Sequence, residues 1–181
     1  MIKIINDSGL CYQLHTYLKA QQLIAEGDVK SVLDIGCGNA GKLYAFIYPM
    51  VEDITGVDSE AVLVKTEKPF GTWIAADLNK PLQLNRKADL IICADCIEHI
   101  LFTDIFLGSI RALAAGKVIF STPNRLSVVK QSPAHRHMWS EDEFVSVLER
   151  YGFEILESYI EIERDAYPEY ESTVVICKVA T

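Results

Sequence analysis

The densest chemistry in this 181-residue chain lies where an apolar run, Val32-Leu33-Asp34-Ile35, passes directly into Gly36-Cys37-Gly38-Asn39-Ala40-Gly41. Glycines spaced G-x-G-x-x-G after a strand allow a tight strand-to-helix turn and let a ligand approach the backbone closely. That spacing alone is shared with dinucleotide-binding proteins and also occurs by chance. Three acids narrow it. Asp34 stands two residues before the first glycine, where a dinucleotide fingerprint usually carries an apolar residue. A carboxylate there suits a cationic group such as an α-ammonium or a sulfonium. Asp58 follows Gly36 by 22 residues and closes the run Ile54-Thr55-Gly56-Val57; an acid at that place can accept both ribose hydroxyls of an adenosine. Asp77 closes a third run in Ala75-Ala76-Asp77-Leu78, placed to accept from an adenine amino group. Any one of these acids could be a loop residue or a helix cap. Three at successive strand ends point to a single cationic, adenosine-bearing ligand.

The elements that would position these residues alternate along the chain. Short β-branched runs at Ser31–Ile35, Asp53–Val57, Trp73–Ala76, Leu90–Cys93 and Val118–Ser121 read as strands, with helical patterns between them, the signature of a parallel sheet covered on both faces. A first helix is predicted from about Leu10 to Ala25, with Leu10, Leu14, Tyr17, Leu18 and Ala25 on its apolar stripe. Gly41–Tyr48 reads as a helix stopped by Pro49, and Asp104–Ala114 as a helix ended by Gly116. Ser140-Glu141-Asp142-Glu143 is a capping box, opening a helix whose apolar face is Phe144, Val147, Leu148 and Tyr151, with Gly152 at its end. Two further strands, about Phe153–Ile162 and Thr173–Val179, are separated only by the short polar segment Arg164–Glu171 and read as an antiparallel hairpin. The expectation is one domain over residues 1–181, with residues 1–29 a helical cap segment and 30–181 the ligand-binding core.

These residues carry a resemblance. LDIGCGNAG at 33–41, VD at 57–58 and AADL at 75–78 look like the S-adenosylmethionine-dependent methyltransferases of the Rossmann-like, seven-stranded class. The resemblance extends over about residues 30–180, through Ala88–Ile100 with its Glu98-His99 pair, Ser121-Thr122-Pro123-Asn124, and Trp139 to Phe153. It implies a three-layer α/β/α sandwich with strand order 3-2-1-4-5-7-6 and an antiparallel last strand. It also implies that Asp34 and the backbone of Gly36, Cys37 and Gly38 hold the methionine moiety of S-adenosylmethionine. Asp58, with Ser59 beside it, would hold the ribose, Asp77 and Leu78 would flank the adenine, and Ala94 and Asp95 would line the methionine end. The third glycine of the family falls at position 40, which is Ala here, and Gly41 follows. With Gly41 as a third glycine, a nicotinamide-dinucleotide oxidoreductase stays open as an alternative, although Asp34 and the absence of a second half-domain speak against it. A non-catalytic S-adenosylmethionine-binding module would carry the same motifs.

Methyl transfer from a sulfonium needs positioning above all, so the lack of a catalytic triad is no objection. His99, following the fourth strand on the ligand-binding face, is the candidate general base, and Asp95 is a candidate for orienting the acceptor. Because of His99, oxygen is favoured over nitrogen or carbon as acceptor atom. Cys93-Ala94-Asp95-Cys96 reads as buried small hydrophobes rather than a zinc or redox motif, since no second ligand pair exists. His135-Arg136-His137 has no acid in its own segment, so no metal site is expected. Trp139, Tyr12 and Tyr17 read as packing residues that could cover the site.

Composition bounds the partners. Net charge is −8, half the residues are hydrophobic, and five scattered cysteines suggest no disulfide framework. No signal peptide or membrane span is legible, so a cytoplasmic protein is expected, and its acidity makes nucleic acid an unlikely partner. The charge is uneven. Residues 1–104 hold 9 bases against 14 acids, residues 105–140 hold 5 and none, and residues 141–181 hold 3 against 11, giving −5, +5 and −8. The basic stretch contains Arg111, Lys117, Arg125, Lys130 and Arg136, and could attract a small acceptor carrying a carboxylate or phosphate.

Overall fold

The protein was analysed as a computed structural model, which describes residues 13–64, 70–127, 132–163 and 170–180. Its centre is a seven-stranded sheet: β1 (Ser31–Ile35), β2 (Asp53–Asp58), β3 (Thr72–Ala75), β4 (Ala88–Ala94), β5 (Ala114–Pro123), β6 (Phe153–Glu163) and β7 (Tyr170–Val179). The spatial order is β3-β2-β1-β4-β5-β7-β6. The contacts from β3 through β5 are parallel, and β7 runs antiparallel to both β5 and β6. The expected architecture and strand order hold.

Alternation along the inner strands builds two cores. Leu33, Ile91, Phe120 and Val175 face one side with helices α3 (Thr103–Leu113) and α4 (Glu141–Arg150). Val32, Ile92, Ile119 and Ile176 face the other with α1 (Leu14–Glu26). Both faces of β1 are buried, which explains its unbroken apolar reading. The capping box of α4 is complete: Ser140 Oγ accepts from the Glu143 backbone and Glu143 Oε2 accepts from the Ser140 backbone. Gly152 ends that helix with φ +82°.

Four local expectations are corrected. The buried face of α1 is Thr16, Tyr17, Ala20, Leu23 and Ile24, while Leu18 and Ala25 face outward; Leu10, Cys11 and Tyr12 lie outside the described residues. Secondly, Gly41–Tyr48 is mostly a π-helical turn at Leu43–Ile47, closed by Tyr48 N–H to Leu43 C=O at 2.8 Å. The wider turn puts Leu43 and Ile47 both in the core while Tyr44 stacks on Tyr48. Thirdly, α3 ends without Gly116, and β5 begins at once at Ala114. Gly116 serves the sheet instead: a Cβ there would lie 2.3 Å from the Asp89 carbonyl oxygen, beside the β4–β5 register shift. Finally, helices do not follow every strand. Among the described residues α2 (Glu60–Leu63) is the helix between β2 and β3, and residues 76–87 contain no helix. Asp77 and Asn79 form a turn there, Pro81 removes a donor, and Leu82 and Leu84 alternate onto the core as extended chain does. The segment Arg164–Glu171 lies mostly outside the described residues.

Candidate functional site

β1 carries Asp34 to the centre of the molecule, fully buried under the glycine turn. Its Oδ2 accepts a 2.7 Å hydrogen bond from the Tyr17 hydroxyl, and its Oδ1 has no partner. Burial pushes this carboxyl up to about 7, reinforced by Asp58 and opposed by the Tyr17 hydrogen bond and by Lys42. An anion so placed lacks one strong donor. Tyr17 therefore does more than pack: it anchors α1 to the residue with the strongest claim on a cationic ligand. Tyr17→Phe is expected to cost about 1–3 kcal/mol in urea unfolding, the penalty for leaving a buried acceptor unpaired.

Above Asp34 the turn needs three left-handed residues in succession of two: Gly36 (φ +83°), Gly38 (φ +57°) and Ala40 (φ +58°). Position 40 is thus where a third glycine would relieve strain, and Gly41 is not one of the left-handed residues. Gly36 and Cys37 donate to the Val57 carbonyl, and Gly38 N–H donates to Asp58 Oδ2 at 2.9 Å, so β2 holds the turn in place. A Cβ on Gly38 would meet nothing within 4 Å; open space lies directly over its backbone.

An open cleft of about 330 Å³ lies along the carboxyl ends of the strands, a volume in the range of small-molecule sites. Gly36, Asp58 and Ser59 line one part, Asp77 and Leu78 another, and Asp95 and His99 the far wall. Seven of the residues singled out from sequence thereby meet in one cleft. Asp34, Cys37, Gly38 and Ala94 are not on its walls: the Cys37 and Ala94 side chains are core, which leaves only their backbone for a ligand. Asp58 Oδ1 accepts from Ser59 N–H at 2.7 Å. Asp77 Oδ1 accepts from the backbone and side chain of Asn79, and Lys80 lies 3.5 Å from Oδ2; the Asn79 backbone bond leads the effects that hold this carboxyl below its usual range.

Asp95 and His99 were singled out from sequence, but the residues that hold and surround them were not legible there. Asp95 sits after β4 at φ +44°, a strained backbone of the kind that gathers at functional sites. Its oxygens accept from Ser121 Oγ (2.7 Å) and the Tyr170 hydroxyl (2.8 Å). Burial raises its pKa against those two bonds and against Lys42 and His135. Tyr170 arrives from β7, and no local signal links it to Asp95. Glu98, in a 3-10 turn at Ile97–His99, is buried with neither carboxylate oxygen hydrogen-bonded, Thr122 lying beside it without a bond of ordinary geometry. Burial, then Asp95, pushes it well above the usual carboxyl range. His99 lies next to it, its Nδ1 3.3 Å from the Ala134 carbonyl oxygen and its Nε2 3.8 Å from Glu98 Oε1. Trp139 is packed between His137 and Phe144, and the four described cysteines are free and buried. Of the basic stretch, Arg125 is 2.9 Å from Glu143, Arg111 sits in the last turn of α3 and Lys117 near the start of β5, neither lining the cleft, and Lys130 lies outside the described residues.

A parallel sheet whose first strand ends in a glycine turn over a buried carboxylate, with acids at the ends of the next two strands, is the arrangement expected of a site for a cationic adenosyl ligand. The family description "methyltransferase domain" matches residues 12–158. The chain belongs to that family, within the Rossmann-like, seven-stranded class of S-adenosylmethionine-dependent methyltransferases. No curated protein matches the sequence. Among solved structures the chain is similar to magnesium protoporphyrin IX methyltransferase from Synechocystis PCC 6803 with bound S-adenosylhomocysteine. Identity is 18%, 100% of this chain and 89% of that one are covered, and the TM-score is 0.72. It is also similar to the N-methyltransferase NodS from Bradyrhizobium japonicum WM9 (13% identity, 98% and 94% covered, TM-score 0.73). A third is the [4+2]-cyclase SpnF (13%, 93% and 81%, TM-score 0.74). S-adenosylmethionine is the cofactor of the family, and the residues present fit it: the unpartnered Asp34 Oδ1 and the open backbone at Gly38 are the kind of partners its ammonium and carboxylate require. No helix among the described residues is long and apolar enough to cross a membrane.

Proposed function

We propose that this methyltransferase acts on a small acceptor seated against Asp95 and His99. The observation that carries the reading is the single cleft that runs from Gly36, Asp58 and Asp77 to those two residues. S-adenosylmethionine, when bound, supplies an electrophilic methyl group already activated by its sulfonium. The chain's part is placement. Asp34 holds the ammonium, Gly36 to Gly38 the methionine backbone, Asp58 and Ser59 the ribose, and Asp77 and Leu78 the adenine. Ala94 and Asp95 close the methionine end, with Asp95 fixed by Ser121 and Tyr170.

His99 handles the acceptor. A proton on Nδ1 donated to the Ala134 carbonyl leaves Nε2 as the basic atom. That arrangement favours an acceptor whose nucleophile must lose a proton, a hydroxyl before an amine or carbon. An anionic acceptor is favoured by the exposed Arg136, whose backbone N–H is bonded to Glu98 O at 2.7 Å beside the site. A single domain with residues 1–29 as its cap completes the reading. The free, buried thiols accord with a reducing, cytoplasmic setting, and the overall acidity with a small molecule rather than nucleic acid.

His99→Ala is expected to lower kcat by about 10²–10⁴-fold, the usual worth of a positioned base, while S-adenosylhomocysteine affinity by calorimetry stays within about twofold. Unchanged turnover removes His99 from the mechanism. A non-catalytic binding module would instead bind the cofactor and never convert it to S-adenosylhomocysteine with any acceptor.

A further inference from the structure

At the acceptor end of the cleft, Glu98, His99 and His135 bring one ligand atom each to within 4.8 Å of one another. The two histidines come from separate segments, and their rings meet edge to face at 4.9 Å between centroids. Glu98 is 1% exposed, and neither of its carboxylate oxygens has a hydrogen-bond partner; His135 Nδ1 is likewise buried and unpartnered. A buried carboxylate and a buried imidazole nitrogen, both without a hydrogen-bond partner and both on residues of this cluster, are costly unless something binds them.

We infer that Glu98, His99 and His135 form a binding site for a first-row divalent transition cation, which in turn holds oxygen atoms of the acceptor. Two imidazoles and one carboxylate are a donor set for zinc, iron or manganese rather than calcium or magnesium, with coordination positions left open for a ligand. Contacts that orient these side chains are in place. His99 Nδ1 faces the Ala134 carbonyl oxygen, the contact that fixes the tautomer with Nε2 free to ligate. Arg136 N–H and His137 N–H both donate to the Glu98 carbonyl oxygen, at 2.7 and 3.2 Å, so the loop carrying His135 is fastened to the turn carrying the other two ligands. Cation–donor distances near 2.0–2.2 Å require the three atoms to draw together, and His99, with 43% of its side chain exposed, has room to turn. His99 and Asp95 line the open cleft, so the vacant coordination positions face the acceptor. Vicinal hydroxyls or a hydroxy acid would fill two of them. In that arrangement His99 Nε2 serves as ligand instead of base. The cation would lower the pKa of a coordinated acceptor hydroxyl, and the proton would pass to solvent in the open cleft. The oxygen would take the methyl group as the sulfonium sulfur leaves with the bonding pair.

The acceptor half of this inference rests on the proposed methyltransferase reading; the cation half is measured apart from it. Chelator-stripped full-length protein is titrated with Zn²⁺ by calorimetry and with Co²⁺ by visible absorption, and separately with S-adenosylhomocysteine. The expected result is one Zn²⁺ per chain and cobalt d–d bands. Glu98→Gln and His135→Ala should each weaken Zn²⁺ by at least about tenfold. His137→Ala, whose ring stacks on Trp139, keeps the affinity. Circular dichroism checks the fold of each variant, and His135→Ala, on a surface loop, decides the matter if Glu98→Gln unfolds. No saturable binding at one per chain, or binding that both ligand variants leave unchanged, overturns the cation site. Failure of S-adenosylhomocysteine to bind, with Zn²⁺ still bound at these residues, overturns the methyltransferase reading alone.

Discussion

Asp34→Asn is expected to weaken S-adenosylmethionine by about 2–5 kcal/mol, roughly 30- to several-thousand-fold, the cost of truncating one partner of a buried hydrogen-bonded charge pair. Asparagine keeps the shape and can still accept from Tyr17, so the loss isolates the charge. The same substitution has a signature in the free protein. A carboxyl at about 3.8 when unfolded and about 7 when folded binds its proton more tightly in the folded state. Its destabilising effect is absent below pH 4, grows as pH rises, and is complete above pH 7. At 1.36 kcal/mol per unit it reaches about 4 kcal/mol. Tyr17, Lys42 and Asp58 remain around the site in both forms. The difference between wild-type and Asp34→Asn unfolding free energies should therefore change across pH 4–7 in favour of the variant. Cofactor affinity of the wild type should rise over the same range as the carboxylate ionises. A flat difference curve would mean that Asp34 is not held near neutrality.

Gly36→Ala is expected to destabilise the fold by about 2–5 kcal/mol and to abolish cofactor binding. Two terms add. The residue sits at φ +83°, a region that costs an L-residue about 1–2 kcal/mol. Its new Cβ would also lie 2.6 Å from Cys96 Sγ and 2.8 Å from Cys96 Cβ, an overpacking of the kind that costs about 1–3 kcal/mol. Cys96 is itself buried on the turn leading to His99, so the strain spreads from the cofactor end toward the acceptor end. Ala40→Gly, in the same turn, is a contrast. Relief of the left-handed strain is offset by the lost buried methyl, about 0.8 kcal/mol, and by the freer unfolded chain. Stability should stay within about 1 kcal/mol. Urea unfolding of both variants measures the pair, and equal losses would mean that the turn is not shaped by Gly36.

The strands were legible where burial on both faces made them continuous and β-branched, as in Ser31–Ile35, and the closing helix because its cap is written locally at Ser140 and Glu143. Asp34, Asp58 and Asp77 were legible because each stands next to its own strand end. What was not legible depends on partners distant in sequence. Gly116 looks like a helix terminator until Asp89 is brought against it. The segment after Asp77 lacks a helix because its leucines alternate onto a core that only the folded sheet supplies. The orientation of α1 follows from Tyr17 reaching Asp34, not from its apolar stripe. Tyr170 reaches Asp95 only through the register of β7 on β5. His135 looks isolated within its own segment, where no acid exists; Glu98 joins it from the turn after β4.

Ligand-induced stabilisation of the purified protein tests the central claim most directly, with S-adenosylmethionine, S-adenosylhomocysteine and NAD each present in turn. At 100 times its dissociation constant a ligand adds about 2.7 kcal/mol to unfolding. The two adenosyl compounds should each raise the stability of the wild type by that order and leave Asp34→Asn nearly unmoved, and NAD should stabilise neither protein. Stabilisation by NAD alone would contradict the assignment of this glycine turn to a sulfonium cofactor.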